Sequence, residues 1–385
     1  MKKVGFATGS RADYGIVRRY LSMLNDEADI ELGILATGAL LDREYGHVLD
    51  YIYGDHLNID CEINIQINTE SNYSILKSMS IALSEFGAYF DQINYDLLIM
   101  LGDRYEMLSV AIAAAMYNIP ILHIHGGEAT YGNYDEFIRH SITKMSRFHF
   151  TASEEYRERV IQLGENPEYV FNMGALGAEN CLTIDKSKVE RTVRQLSICR
   201  YFVVLFHPET LTSNSAECQI CNLLKAIERF PQYFFVFIGS NADTHSEVIR
   251  KHIQFFIGRH DNAIYYENLN SDSYHYLLQQ SLGLIGNSSS GIIEAPSLGI
   301  YTVNIGERQR GRIRGNSVLD VVCSCEEIAW AIETVINKKR PLKVCNPYYK
   351  KGALENYLRK TKEILNKVED IRKKPKEFYD LAMKN

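Results

Sequence analysis

Short apolar runs alternate with stretches of helical periodicity from the first residues onward. Residues 4–7 read as a strand, and 14–24 carry apolar positions at helical spacing. Residues 31–36 form a second apolar run, and 60–67 a third whose Ile63, Ile65 and Ile67 fall on one face. A long helix is predicted over 74–90, an apolar strand over 96–101 and an alanine-rich helix over 106–117. Residues 119–124 and 148–151 follow as strands. Apolar strands separated by full-length helices belong to a parallel sheet covered on both faces.

The pattern then starts again. Residues 201–206, 233–238, 264–266, 282–285 and 301–304 are expected strands with helical segments between them. The chain therefore reads as α/β, with two Rossmann-like, doubly wound parallel-sheet domains. The first is expected over 1–175 and the second over 176–365, with a C-terminal helix at about 366–385 packing back on the first. Such a pair leaves a cleft between the domains, a preferred place for ligands.

Composition narrows the field. A chain of 385 residues, 46% hydrophobic and 23% charged, has the length and balance of a two-domain globular protein. A net charge of -6 argues against a nucleic-acid surface. No apolar stretch reaches the roughly 18 residues of a membrane helix. Residues 1–6 enter a strand with no signal-peptide pattern, so a cytoplasmic protein is expected. Cys218 and Cys221 lie in a helical run, and no histidine stands at ligand spacing beside them or beside Cys323 and Cys325. These thiols read as reduced and structural rather than as a metal site.

The chemistry gathers where strands end. His125-Gly126-Gly127-Glu128 follows an apolar run, and Asp135, Arg139 and His140 close the segment. That density of titratable groups exceeds any need of folding. His123 alone reads as a core histidine, and Arg139 and His140 as partners that orient the acids. Asp103 and Arg104 end the strand at 96–101, after Gly102. After the first strand, Gly9-Ser10-Arg11-Ala12-Asp13 lacks the glycine fingerprint of a dinucleotide site, and Arg11 is placed to meet a phosphate. The plainer reading of this loop makes Asp13 a helix cap.

In the second half, His207 ends the first strand and can donate to a phosphate oxygen. Asn287, Ser288, Ser289, Ser290 and Gly291 join a strand to a helix, where amides, hydroxyls and the helix dipole cradle an anion. Glu294, one turn in, is placed to accept from a ribose diol. Arg308, Arg310, Arg312 and Arg314 crowd one loop of a net acidic chain, which suits a polyanion. A diphosphate and ribose on the second domain, with acids and imidazoles on the first, describe a nucleotide-sugar enzyme.

These motifs resemble the UDP-N-acetylglucosamine 2-epimerase family, and within it the hydrolysing branch of bacterial sialic-acid biosynthesis. The resemblance is carried by GSRADYG at 9–15, LGDRYE at 101–106, HIHGGE at 123–128 and YDEFIRHSITK at 134–144. FHPET at 206–210, GNSSSGIIE at 286–294 and NIGERQRGR at 304–312 extend it over nearly the whole chain. It implies the two-domain fold of B-type glycosyltransferases. It also implies UDP held by Arg11, His207, Ser288, Ser289, Glu294 and Arg308, with Arg104 near the sugar or phosphate.

By the same resemblance Asp103, Glu128 and Asp135 are candidate acid–base groups. Many relatives carry Glu where this chain has His125, so either His125 or Glu128 takes that role. The implied reaction eliminates UDP from UDP-N-acetylglucosamine to a 2-acetamidoglucal and hydrates it to N-acetylmannosamine. No cofactor or metal is called for, because Arg11, His207 and the serine-rich helix start neutralise the diphosphate. Alternatives are a UDP-2,4-diacetamido-trideoxyhexose as substrate, a non-hydrolysing epimerase, a B-type glycosyltransferase and a nucleotide-sugar sensor. A homodimer or higher homo-oligomer is expected, with no nucleic-acid or membrane partner.

Overall fold

Lys2–Thr8 (β1) runs buried from Val4 onward, as the central strand of a sheet covered on both faces must. The computed structural model describes every residue except 42–48, 69–70, 132–133, 197–198, 210–214, 240–245, 339, 342 and 382–385. Thr210 of the FHPET motif, and the end of the expected C-terminal helix, lie outside the described residues. The chain divides into two compact units, one of 1–128, 134–176 and 350–385, the other of 129–133 and 177–349.

In the first unit β1 is followed by α1 (Arg11–Asn25), β2 (Ile30–Thr37), α2 (Leu49–Gly54), β3 (Ile59–Ile63) and α3 (Asn72–Gln92). Next come β4 (Leu97–Leu101), α4 (Tyr105–Met116), β5 (Ile121–Ile124), α5 (Asp135–Met145), β6 (Phe148–Thr151), α6 (Glu154–Gln162) and β7 (Val170–Asn172). The seven strands are parallel in the order β3-β2-β1-β4-β5-β6-β7. One face packs Tyr14, Val17, Tyr20 and Leu24 of α1 with strand residues, the other Phe86, Val110, Ala114 and Ile142.

The second unit contains α7 (Leu176–Asn180, entered from the first unit), α8 (Arg191–Leu196), β8 (Tyr201–Leu205), α9 (Ala216–Ile227), β9 (Phe234–Ile238) and α10 (Ser246–Ile257). It continues with β10 (Ala263–Tyr266), α11 (Ser271–Gln280), β11 (Gly283–Gly286), α12 (Ser290–Ile293), β12 (Tyr301–Ile305), β13 (Val318–Val321) and α13 (Cys325–Asn337). Its six parallel strands are ordered β10-β9-β8-β11-β12-β13. In both sheets the order reverses beside the first strand, at β1/β4 and at β8/β11. That reversal opens a crevice at the carboxyl ends of the two strands.

α14 (Ala353–Leu365) and α15 (Val368–Arg372) return to the first unit. Tyr20 and Thr361 share a hydrogen bond of 2.6 Å, and Tyr357 donates to the carbonyl of Gly174 at 2.9 Å. The helix expected over 366–385 stops at Arg372. Pro375 lacks the amide that a continued helix needs, and the following residues run without regular structure to Leu381.

Strand β3 also ends early, at Ile63, because Asn64 Oδ1 accepts from the amide of Gln66 and turns the backbone. Two strands have no counterpart in the sequence reading, β7 and β13. Both are sheet edges, only partly buried, so their apolar signal is weak. Among the described residues no helix is long and apolar enough to cross a membrane.

Candidate functional site

The loops that leave β1, β4 and β5 bring the first unit's motifs to its switch point. Ser10 caps α1 by accepting from the amide of Asp13 at 3.1 Å. Asp13 is therefore not the cap. Its carboxyl is buried, Oδ2 has no hydrogen-bond partner among the described residues, and it lies in the field of Arg104, Glu106 and Asp135. Burial pushes this acid up to about 6, with Glu106 and Asp135 adding to the rise and Arg104 and Ser10 opposing it.

Arg104 donates from Nε to Glu106 at 2.6 Å, and Glu106 is fully buried. A Cβ on Gly9 would stand 2.3 Å from Glu106 Oε1, so the glycine makes room for that carboxylate. Arg11 opens α1, its guanidinium largely buried and lowered in pKa by that burial. Asp13 and Glu106 lie inside the motifs at 9–15 and 101–106, yet the sequence reading gave neither a role in the site.

Asp103 meets Arg139. The guanidinium of Arg139, which is buried, donates to Asp103 Oδ2, to the carbonyl of Glu128 at 2.9 Å and to Glu136 at 3.4 Å. His140 Nε2 lies 3.1 Å from Glu136 Oε1. Arg139 and His140, read from the sequence as partners that orient the acids, are engaged with acids of the protein. Asp135 is the first residue of α5, where a carboxylate is favoured by the helix dipole.

His125 adopts a left-handed backbone, φ 67°, and its Nδ1 lies 3.3 Å from Glu128 Oε1. Gly127 follows at φ 81°, and a Cβ there would stand 2.4 Å from the carbonyl of Tyr156. The glycine lets the turn fold against α6 and brings Glu128 back to His125. His123 is a core histidine. Burial lowers it to about 3, so it is neutral, with Nε2 donating to the carbonyl of Gly102 at 2.7 Å. Its Nδ1 accepts from Thr143 Oγ1 at 3.0 Å, and the ring pins the loop that carries Asp103.

At the second switch point Asn287 is a clamp. Its Oδ1 accepts from the amide of His207 at 2.7 Å and its Nδ2 donates to the carbonyl of the same residue at 2.8 Å. The carbonyl of Asn287 accepts from Arg308 at 3.1 Å and from Gln309 at 2.8 Å. Glu209 Oε1 accepts from the amides of Glu307 and Arg308 at 2.7 and 2.9 Å, and Gly306, at φ 77°, leaves space for it. Burial raises the Glu209 carboxyl, against the pull of those amides.

Arg310 pairs with Glu307 at 3.3 Å and Arg314 with Asp320 at 2.8 Å, so these loop arginines already face carboxylates. Helix α12 runs only from Ser290 to Ile293. Its dipole is correspondingly small, and the amide of Ser290 donates to Ser288 Oγ at 3.3 Å within the turn. Glu294 closes that turn, accepting from Ser290 Oγ.

Residues 22–362 match the UDP-N-acetylglucosamine 2-epimerase family. The chain belongs to this family. It is 48% identical, over 99% of its length and 98% of the relative's, to polysialic acid biosynthesis protein P7 of Escherichia coli. It is 35% identical, over 83% of this chain and 84% of the relative's, to a GDP/UDP-N,N'-diacetylbacillosamine 2-epimerase (hydrolyzing) of Campylobacter jejuni.

Among solved structures, the S. aureus MnaA–UDP co-structure aligns with a TM-score of 0.80 at 18% identity, covering 98% of this chain and all of that one. The UDP-GlcNAc 2-epimerase of Neisseria meningitidis bound to UDP-GlcNAc aligns at 0.77 and 17%, covering 94% and 100%. The fold is that of these epimerases.

Proposed function

We propose that the protein is a hydrolysing 2-epimerase that converts UDP-N-acetylglucosamine to N-acetylmannosamine and UDP for sialic-acid synthesis. The observation that carries this reading is the switch-point group Asp103, Arg139, Glu128 and His125, on a chain 48% identical to a polysialic acid biosynthesis protein. The word "hydrolyzing" in the names of relatives 35% and 33% identical supports water as the acceptor.

In this reading Arg11, His207, Ser288, Ser289, Ser290, Gly291, Glu294 and Arg308 take the UDP portion, and Asn287 holds His207 in place. Arg104, paired with Glu106, faces the sugar or phosphate. The C2 proton of the sugar is barely acidic until the C1–O bond weakens. Developing oxocarbenium character at C1 then acidifies C2, and a carboxylate is a sufficient base. The base takes the C2 proton as UDP leaves with the C1–O electron pair, giving a 2-acetamidoglucal. Water adds at C1, and a proton returns to C2 from the opposite face.

Asp103 and either Glu128 or His125 serve as the proton-transfer pair, and Asp135 activates the water. Arg139, shared between Asp103 and the Glu128 backbone, keeps the two acids in register. Phosphate-binding groups that strengthen as charge builds on UDP lower the barrier to its departure.

A second reading keeps the chemistry and changes the sugar. The relatives named for UDP-N,N'-diacetylbacillosamine are 35% and 33% identical, against 28% for the UDP-N-acetylglucosamine 2-epimerase of Neisseria meningitidis serogroup B. Release of UDP from each sugar nucleotide, compared as kcat/KM, separates the two. Preference for UDP-N-acetylglucosamine by tenfold or more upholds the first reading. The reverse preference installs the second, and no release from either contradicts both.

A further inference from the structure

Glu294 sits in a built environment that its motif does not foretell. Ser290 Oγ donates to its Oε2, and Tyr274 Oη donates in turn to Ser290 Oγ at 2.7 Å. On the other side His275 Nε2 lies 3.6 Å from Oε1. Gly177 closes this flank, where a Cβ would stand 3.0 Å from Oε1. Tyr274 and His275 are consecutive residues of α11, a helix outside every motif that carries the family resemblance.

We propose that His275 is a positioning residue for nucleotide recognition, holding the Glu294 carboxylate as the acceptor of a ribose diol. The inference rests on the reading of the second unit as the UDP site. A carboxylate offers about four acceptor positions; Ser290 takes one, and His275, an ion-pair neighbour at 3.6 Å rather than a hydrogen-bond donor, stands over a second. The remaining two match the paired hydroxyls of a ribose. An unsupported Glu side chain has several rotatable bonds to freeze when it binds, and a carboxylate already bonded at Oε2 and flanked by His275 at Oε1 avoids part of that cost. Burial alone would raise the Glu294 acid, yet the contacts with His275 and Ser290 bring it below its usual value. The acceptor is therefore charged, and hydroxyl donors bind a charged oxygen more strongly than a neutral one.

The test is calorimetric binding of UDP and of 2′,3′-dideoxy-UDP to the wild-type chain and to two variants. Wild type is expected to bind UDP more tightly than the dideoxy compound. H275F should weaken UDP by about tenfold, the loss of one charge-assisted contact, while leaving dideoxy-UDP within about twofold. H275Q, which keeps a donor near Glu294, should restore most of the UDP affinity.

Equal loss for both nucleotides in H275F would make His275 a packing residue and overturn the proposal. So would no loss for either, or failure of H275Q to recover binding. Wild type binding both nucleotides equally would remove Glu294 as the diol acceptor. Wild type binding no UDP at all would instead overturn the nucleotide reading of the second unit.

Discussion

Arg139, 1% exposed, reaches from α5 to the loop that ends β4 and donates to the carboxylate of Asp103. The same guanidinium holds the carbonyl of Glu128 at 2.9 Å, so one cation links two of the candidate acids. A buried cation is tolerated only when paired, because removal from water costs several kcal/mol.

R139A should therefore destabilise the protein by on the order of 3–5 kcal/mol, by leaving Asp103 and the Glu128 carbonyl without their donor. D103N should cost less, since a neutral amide still accepts from the guanidinium, while turnover falls by at least about a hundredfold. Chemical denaturation and UDP-release rates measured on both variants check the pair. Near-native turnover in D103N would remove Asp103 from the proton transfers.

Gly127 is the backbone hinge of the acid cluster. At φ 81°, with a Cβ destined for 2.4 Å from the Tyr156 carbonyl, G127A combines left-handed strain with a backbone clash. The expected cost exceeds about 2 kcal/mol, read as a lowered denaturation midpoint. A variant as stable as wild type would show that the turn has room which the packing against α6 denies.

The acid of Asp13 makes stability depend on pH. Its folded value, about 6, lies above the ordinary 3.8, so the folded state binds the proton more tightly than the unfolded chain. That contribution is complete below pH 4 and is lost as pH rises through 6. Its full size is on the order of 3 kcal/mol. D13N cannot ionise and should gain on wild type by about that amount between pH 4 and 7, while the two remain similar near pH 4. Parallel stability curves for the two proteins would contradict the burial of this charge.

Asn287 gives a test confined to the second unit. N287D keeps the acceptor for the His207 amide but turns the donor at 2.8 Å into an oxygen facing the His207 carbonyl. UDP affinity should fall by about tenfold to a hundredfold, measured by calorimetry. Unchanged affinity would mean that His207 is not part of the nucleotide site.

Much of this architecture was legible in the sequence because central parallel strands are buried on both faces. Residues 97–101 and 201–205 are apolar at every position, and that signal survives without tertiary context. The edge strands β7 and β13 were not legible, since a half-covered strand needs no such run. The motifs located Asp103, His125, Glu128 and His207 just beyond strand ends, and Glu294 at the end of the short helix after β11.

What the sequence did not carry was the pairing among those residues. Asn287 reads as a ligand contact, yet its side chain is used on the His207 backbone, and the particular acid that Arg139 takes, Asp103, has no local signal. The charge fields around Asp13 and the contact of His275 with Glu294 join residues far apart in the chain, and neither has a local pattern.

In the proposed reaction UDP leaves first and water, not UDP, returns to C1. Proton NMR of the protein with UDP-N-acetylglucosamine in deuterated water tests it most directly. The expected products are free UDP and N-acetylmannosamine carrying deuterium at C2. An equilibrium between UDP-N-acetylglucosamine and UDP-N-acetylmannosamine, with no free sugar, would contradict the hydrolytic step.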